Sequence, residues 1–398
     1  MPVVGTFRPL EEYREEVWNC SRCNWCKLIF GWNLKSARFR YNCPSFTRFR
    51  FDAYSAQGRM HVARALIEGE MDWKDSEKIL EIVYTCDTCG ACAINCIRIM
   101  ENNPVEVIEA LRAKLVKLGI GPMPAHKRFG ENTLKTYNVF GESHNARFSW
   151  VTDEIKPSKN SELCFFSGCV ASYRQMEIAK ASLKLLKAAD VEYVFIDEWC
   201  CGSPLFRTGQ WDSGLELVKH NVEQFKKMGI SKIVTPCPGC YKCLKLDYPK
   251  LADGFDFEVL HTVELIEELY NKGKLKFKPL NGETITYHDP CHLGRWLGVY
   301  DPPRNLLSAI GDKNFVEMER KKDQAWCCGA GGGVLAAFRD QTMFASKERI
   351  MEAKSVGASL LVSACPFCAI ALKDAVETSG GGIVFRDINE LLLSLLVR

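Results

Sequence analysis

The chain has 398 residues, 47% hydrophobic and 25% charged, enough for two or three domains with real cores and ordinary for a globular protein. It has no uninterrupted apolar run of about 18 residues, which argues against a direct membrane span. The start "MPVVGTFRPLEEYREE" has no apolar stretch of signal-peptide type. The expected compartment is the cytoplasm, with any membrane attachment made through a partner. Structural disulfides are rare there, so 20 cysteines against a formal charge of +3 read as metal ligands or redox groups.

In chain order, "EEYREE" (residues 11–16) predicts a solvated helix face. "CSRCNWCK" then supplies Cys20, Cys23 and Cys26, and "NCPS" adds Cys43 before Pro44. The stretch 35–64 is basic: Lys35, Arg38, Arg40, Arg48, Arg50, Arg59 and Arg64 face Asp52 alone. It reads equally as a docking face for an acidic partner and as screening for anionic groups. "CDTCGACAINC" carries Cys86, Cys89, Cys92 and Cys96. Three cysteines at steps of three with a more distant fourth form the bacterial ferredoxin arrangement, whose fourth ligand serves the other cluster. The spacing therefore predicts two cubane [4Fe-4S] clusters, one on Cys20, Cys23, Cys26 and Cys96, the other on Cys86, Cys89, Cys92 and Cys43. Zinc ribbons use well-separated CxxC pairs, which two CxxCxxC triplets fit poorly. The pattern departs from the compact motif in two places: 16 residues separate Cys26 from Cys43, and Ile97 instead of proline follows Cys96. A four-thiolate cubane carries a charge of about −2 or lower, so a loaded protein is acidic and unsuited to nucleic acid.

Residues 1–120 thus read as a helical ferredoxin-like domain, and 121–160, rich in Gly, Pro and polar residues, as a linker. "ELCFFSGC" then predicts a buried strand that delivers Cys169. "EWCCGSPLF" holds the twin cysteines Cys200 and Cys201, "GLELVKHNVEQFKKMG" a helix, and "KIVTPCPGC" a strand ending on Cys237 and Cys240. "HTVELIEELY" closes the unit with an amphipathic segment. The pattern then returns as "TITYHDPC" (Cys291), "AWCCGAGGGV" (Cys327, Cys328), "FASKERIMEAKSVG", "SLLVSACPFC" (Cys365, Cys368) and "RDINELLLSLL". The cysteine gaps are 30 and 35 residues in the first unit and 35 and 36 in the second, an internal duplication. Strands alternating with helices predict two α/β domains, 161–275 and 276–398. Neighbouring side chains on a strand point to opposite faces, so both twin sulfurs reach one object only across a sharp turn, which Gly202 and Gly329 permit. Proline after the first cysteine of each CPxC suits the first helical position. That sets Cys237 and Cys365 at helix N-termini, where the dipole favours thiolate. Cys164 reads as a core residue and Cys243 as spare, because the matching place in the second unit is Ala371.

The repeated C-x30-CC-x35-CxxC and C-x35-CC-x36-CxxC pattern resembles the cysteine-rich CCG domains of heterodisulfide reductases. A two-cubane segment ahead of two such domains looks like the D subunit of heterodisulfide reductase. It is also similar to the iron–sulfur subunits of glycolate oxidase and anaerobic glycerol-3-phosphate dehydrogenase. The resemblance covers about residues 15–398. It implies an α/β fold with a helical ferredoxin-type domain and duplicated CCG domains. It also implies two non-cubane [4Fe-4S] clusters, on Cys169, Cys200, Cys201, Cys237 and Cys240 and on Cys291, Cys327, Cys328, Cys365 and Cys368. In the family these face each other across a pocket where a disulfide is cleaved with two electrons. The rival implication is an electron relay between a flavoprotein dehydrogenase, or an electron-transfer flavoprotein, and a quinone- or cytochrome-linked partner; the partners implied are flavoprotein, ferredoxin-like or cytochrome b-type redox subunits.

Three weaker signals remain. "YHDPCHLGR" sets His288, Asp289 and His292 around Cys291, and His288 and His292 are candidate proton donors for a leaving thiolate. Arg295 and Arg174 hold comparable places in the two units and read mainly as offsets to cluster charge. "CGAGGGV" lacks the strand, turn and acidic residue of a dinucleotide site, so its glycines read as room for backbone beside a cluster, and electrons must enter from a partner.

Overall fold

The computed structural model describes residues 7–29, 34–73 and 76–397. Its first part is helical: α1 (Arg14–Trp18), α2 (Pro44–Phe49), α3 (Ala56–Ile67), α4 (Ser76–Tyr84), α5 (Ala91–Met100) and α6 (Pro104–Lys117). Local chemistry sets the boundaries. Ser55 caps α3 by accepting from the Gly58 N–H at 3.2 Å, and Asn103 caps α6, with Pro104 in its first turn. Val107, Leu111 and Leu115 recur at four-residue steps and share a core with Met60 and Ala63 of α3. Within "EEYREE", Glu11, Glu12, Arg14 and Glu15 are exposed while Tyr13 is buried, so the solvated face carries one anchor.

The stretch read as a linker contains a packed helix, α7 (Pro124–Thr136). Its prolines flank the helix or open it, where they cost no hydrogen bond. His126 on α7 is buried and donates to the Gly333 carbonyl at 2.8 Å, which ties α7 to the second repeat.

Two matching α/β units follow. The first runs β1 (Leu163–Phe165), α8 (Gly168–Tyr173), α9 (Met176–Ala188), α10 (Ser203–Thr208), α11 (Trp211–Lys227), β2 (Lys232–Thr235), α12 (Pro238–Lys242), α13 (Tyr248–Leu251), β3 (Glu258–His261) and α14 (Thr262–Asn271). The second runs β4 (Ile285–His288), α15 (Asp301–Gly311), α16 (Val334–Ala337), α17 (Arg339–Ser355), β5 (Leu360–Ser363), α18 (Pro366–Glu377), β6 (Val384–Asp387) and α19 (Ile388–Ser394). Each unit has a three-stranded parallel sheet, β1-β2-β3 or β4-β5-β6, with Leu163 opposite Lys232 and Ile285 opposite Leu360. Parallel neighbours need helical crossovers that cover the sheet faces, and β1, β4 and β5 are buried throughout. The units share one core, which joins Ile233 and Val234 to Leu360 and Val362. A buried bridge also links them: the Asn389 amide donates to Ser182 Oγ at 2.9 Å and Thr262 Oγ1 at 3.0 Å. Cys169, Cys237, Cys291 and Cys365 all lie just past the carboxyl ends of β1, β2, β4 and β5, the edge where open parallel sheets place ligands.

Burial pushes His126 down to about 4 and His261 down to about 3. Below about pH 6.5 the unfolded chain binds protons at these histidines that the folded chain refuses. Stability is therefore intact above pH 6.5 and falls as pH drops, by about 1.4 kcal/mol per unit for each histidine. Thermal midpoints should decline from pH 6.5 to 5.5, and His126→Gln should flatten that decline. A midpoint independent of pH would contradict neutral burial.

Candidate metal centre

All 20 cysteines are free thiols, and the fold gathers 17 of them around three cavities. Cys20, Cys23, Cys26 and Cys96 line one small cavity. Cys43, Cys86, Cys89 and Cys92 line another. These are the crossed sets paired by the ferredoxin spacing. Helix α5 makes the crossing, with Cys92 at one cavity and Cys96, one turn on, at the other. Behind the second cavity Arg59 is buried, and its guanidinium donates to the carbonyls of Ile82 and Tyr54 (both 2.7 Å) and to Ser45 Oγ and Thr85 Oγ1 (both 3.1 Å). Of the basic stretch, Arg59 lines this cavity, and its charge opposes the upward push of burial on Cys43 and Cys86. Arg38 is spent on a two-pronged pair with Glu348 at 2.7 and 2.6 Å, which docks this stretch on the chain's own second unit.

The third cavity, of about 340 Å³, lies between the two α/β units. Cys169, Cys200, Cys201, Cys237 and Cys240 line it from one side, and Cys291, Cys328, Cys365 and Cys368 from the other. The tenth cysteine, Cys327, packs with Cys89, Ala91 and Cys291. The second twin pair thus spans two places: Cys328 faces the large cavity and Cys327 meets the loop that carries Cys89. Gly202 (φ +86°) and Gly329 (φ +85°) make the turns. A Cβ on Gly329 would sit 2.6 Å from Ala345 Cβ, so close packing and backbone conformation both demand glycine.

Buried acids fix the cysteine loops. Glu198 accepts from the backbone of Ser167 (2.8 Å) and Gly168 (2.9 Å) and pairs with Arg147 at 2.6 Å, which holds the loop before Cys169. Asp289 takes that part in the second unit, accepting from Arg304 at 2.7 and 2.9 Å and from the Lys322 N–H at 2.9 Å. Cys237 and Cys365 do stand at the N-caps of α12 and α18. The Cys240 side chain lowers Cys237, with the backbone N–H groups of Cys240 and Gly239 adding to it, whereas burial raises Cys365. Hydrogen bonds from Cys327 and Cys368 pull Cys328 well down, and one from Cys327 brings Cys89 to about 6. Burial pushes Cys92 well up. Sulfurs crowded on one cavity in this way suit a polynuclear iron core, and five converging thiols exceed what tetrahedral zinc takes. The residues present therefore fit iron–sulfur clusters.

The remaining candidates divide. His292 lines the large cavity with Nε2 buried and unpartnered, and burial holds it neutral, down to about 3. His288 does not line that cavity; it sits behind the cysteines with Nδ1 accepting from Arg349. Arg295 is buried and donates to the Cys89 and Ala325 carbonyls, whereas Arg174 is exposed and pairs with Glu142 at 2.8 Å. Their equivalent positions do not imply equivalent roles, and neither lines the cavity. Cys164 is a core residue of β1, while Cys243 begins a π-helical turn and donates to the Cys201 carbonyl at 3.0 Å.

Two features had no local sequence signal. Arg207 reaches the cavity from α10 and is held by Asp247 at 2.6 Å and Glu109 at 3.3 Å. The glycines of "GAGGG" serve chain packing: Cβ atoms on Gly331 and Gly332 would lie 2.7 Å from the Asp87 carbonyl and 2.5 Å from the Cys86 carbonyl. Among the described residues, no helix is long and apolar enough to cross a membrane.

The CCG cysteine-rich domain model matches residues 163–245 and 285–373, which are the cysteine-bearing parts of the two α/β units. The chain is 36% identical over 387 residues to the D subunit of the dihydromethanophenazine:CoB–CoM heterodisulfide reductase of Methanosarcina acetivorans, covering 96% of this chain and 94% of that protein. It is 35% identical to the B subunit of the fumarate reductase (CoM/CoB) of Methanothermobacter marburgensis, over 78% of this chain and 61% of the relative. It is 32% identical to the EtfAB:quinone oxidoreductase of Syntrophomonas wolfei, over 75% of this chain and 44% of the relative.

Gly332→Ala forces a side chain onto a positive φ of +59° and against the Cys86 carbonyl. The backbone alone costs about 1–2 kcal/mol. Gly357→Ala has a similar φ of +76° and open space, so it should lower the thermal midpoint less than Gly332→Ala. Equal losses would contradict the packed loop.

Proposed function

The chain belongs to the family of the heterodisulfide reductase D subunit and its CCG-domain relatives, and on that footing we propose that its large cavity is where a disulfide is reduced, or formed from two thiols. It is an iron–sulfur oxidoreductase subunit. In this reading Cys20, Cys23, Cys26 and Cys96, and Cys43, Cys86, Cys89 and Cys92, would hold two cubane clusters. Cys169, Cys200, Cys201, Cys237 and Cys240, and Cys291, Cys327, Cys328, Cys365 and Cys368, would hold two non-cubane ones. Iron–sulfur clusters supply one-electron carriers whose potentials the protein sets. The balance is R–S–S–R′ plus two electrons and two protons giving two thiols.

The observation that carries the reading is the cavity shared by nine of the ten CCG cysteines, which confines a sulfur substrate between two facing sets. The packing of Cys89 against Cys327 supports a short path into the second set. Phe129, Phe140 and Phe367 line the cavity and keep water from the reacting sulfur. His292, neutral and with Nε2 free of protein partners, is the residue assigned to hydrogen-bond it. Electrons would come from a flavoprotein, ferredoxin-like or cytochrome b-type partner, which would also provide any membrane attachment.

The likeness to the EtfAB:quinone oxidoreductase favours a second reading, a relay without thiol chemistry. Electron paramagnetic resonance on mildly oxidised, anaerobic protein separates the two. A signal that appears with only one of coenzyme M, coenzyme B or coenzyme A, and broadens when its sulfur is isotopically labelled, is expected for a catalytic site. Signals indifferent to every thiol would leave the relay. Cys96→Ser and Cys43→Ser should each remove about four iron atoms per chain and different reduced-state signals; loss of one common signal would refute the crossed sets.

A further inference from the structure

The duplication breaks down where the second cysteine of each twin pair is supported. His288, the last residue of β4, is buried at 1% exposure, and its Nδ1 accepts from Arg349 Nε at 3.0 Å. Arg349 is buried as well. Its Nη1 is held by Glu352 at 2.8 Å and by the Arg320 carbonyl at 2.9 Å, and Arg320 Nε also grips Glu352 at 2.9 Å. A guanidinium has no acceptor atom. Nδ1 therefore carries no proton, and the imidazole is the neutral Nε2–H tautomer. The ligand atoms of His288, Cys328 and Cys368 lie within 4.8 Å of one another, which sets the His288 ring beside the Cys328 sulfur.

The first unit lacks this device. His288 stands three residues before Cys291; three before Cys169 stands Phe166, buried in the core. Cys201, the counterpart of Cys328, has Cys243 beside it, but a thiol is a weak donor and that proton is spent on the Cys201 carbonyl.

We propose that His288 is a fixed N–H donor to the sulfur of Cys328, that Arg349 is the positioning residue that sets its tautomer, and that the second cysteine site is thereby more easily reduced than the first. Reduction adds negative charge that iron shares with its thiolates. A donor to one thiolate stabilises the reduced form more than the oxidised one and raises the potential, the more so when buried. The site so tuned is the one that meets Cys89 through Cys327, so incoming electrons would settle there first. The inference rests on the reading that both five-cysteine sets hold iron.

The test combines iron analysis, redox-poised paramagnetic resonance and ¹⁵N-histidine labelling. In labelled wild-type protein, one weak ¹⁵N coupling of hydrogen-bond size is expected on a cavity-site signal, and His288→Gln should abolish it. His288→Phe, which copies the first unit, should shift the potential of that signal downward and leave the others in place. The Gln amide N–H should restore most of the shift. A strong coupling of direct iron–nitrogen size, no coupling, or unmoved potentials in an iron-replete His288→Phe protein would overturn the proposal. The labelling experiment needs no variant to reveal the coupling, so a misfolded His288→Phe leaves it decisive. Protein with iron for the cubane sets alone would overturn the iron reading of the cavity, and this proposal with it.

Discussion

Two buried guanidinium groups hold the three parts of this protein in register. Arg112, on α6 and wholly buried, donates to the carbonyls of Val83, Cys86, Arg207 and Gly332 at 2.6–2.9 Å. Those carbonyls belong to the end of α4, the second cysteine loop, the first α/β unit and the glycine loop of the second. Arg295 ties the Cys89 carbonyl to that of Ala325, just before the second twin pair. A buried carbonyl without a partner costs about 1–3 kcal/mol, so each segment is committed to the position in which the arginine reaches it. Because every acceptor is main chain, the clamp fixes backbone and leaves the cysteine side chains free to face their cavities.

This clamp makes the two halves of the duplication structurally unequal. Both α/β units carry five cysteines, but the second packs its twin pair on the Cys86–Cys96 segment, through Cys327 and Cys89. The glycine loop allows that approach, since any side chain at Gly332 would strike the Cys86 carbonyl. The supporting side chains differ as well: a histidine oriented by arginine stands behind Cys328, and a thiol committed to a carbonyl stands beside Cys201. A symmetric pattern of cysteines thus sits in an asymmetric setting.

Much of this was legible in the chain itself. The cysteine groups, the duplication, the α/β units and the cysteines at helix N-caps follow from local spacing, strand-length apolar runs and the position of proline, none of which depends on distant residues. The helix at Pro124–Thr136 was hidden by flanking glycine and proline, which mark a boundary equally well whether a loop or a helix lies beyond it. Arg174 and Arg295 look equivalent in sequence and diverge only because one faces solvent and the other faces the Cys89 loop. The outward turn of Cys327, the hub at Arg112 and the tautomer of His288 were invisible for the same reason. Each is defined by groups up to some two hundred residues apart, and a buried polar atom takes its role from whichever partner packing brings within reach. The sequence alone determined which residues can bind metal and how often the pattern repeats; tertiary structure decided which way each sulfur faces and what stands behind it, because burial and hydrogen bonding arise only once the segments meet.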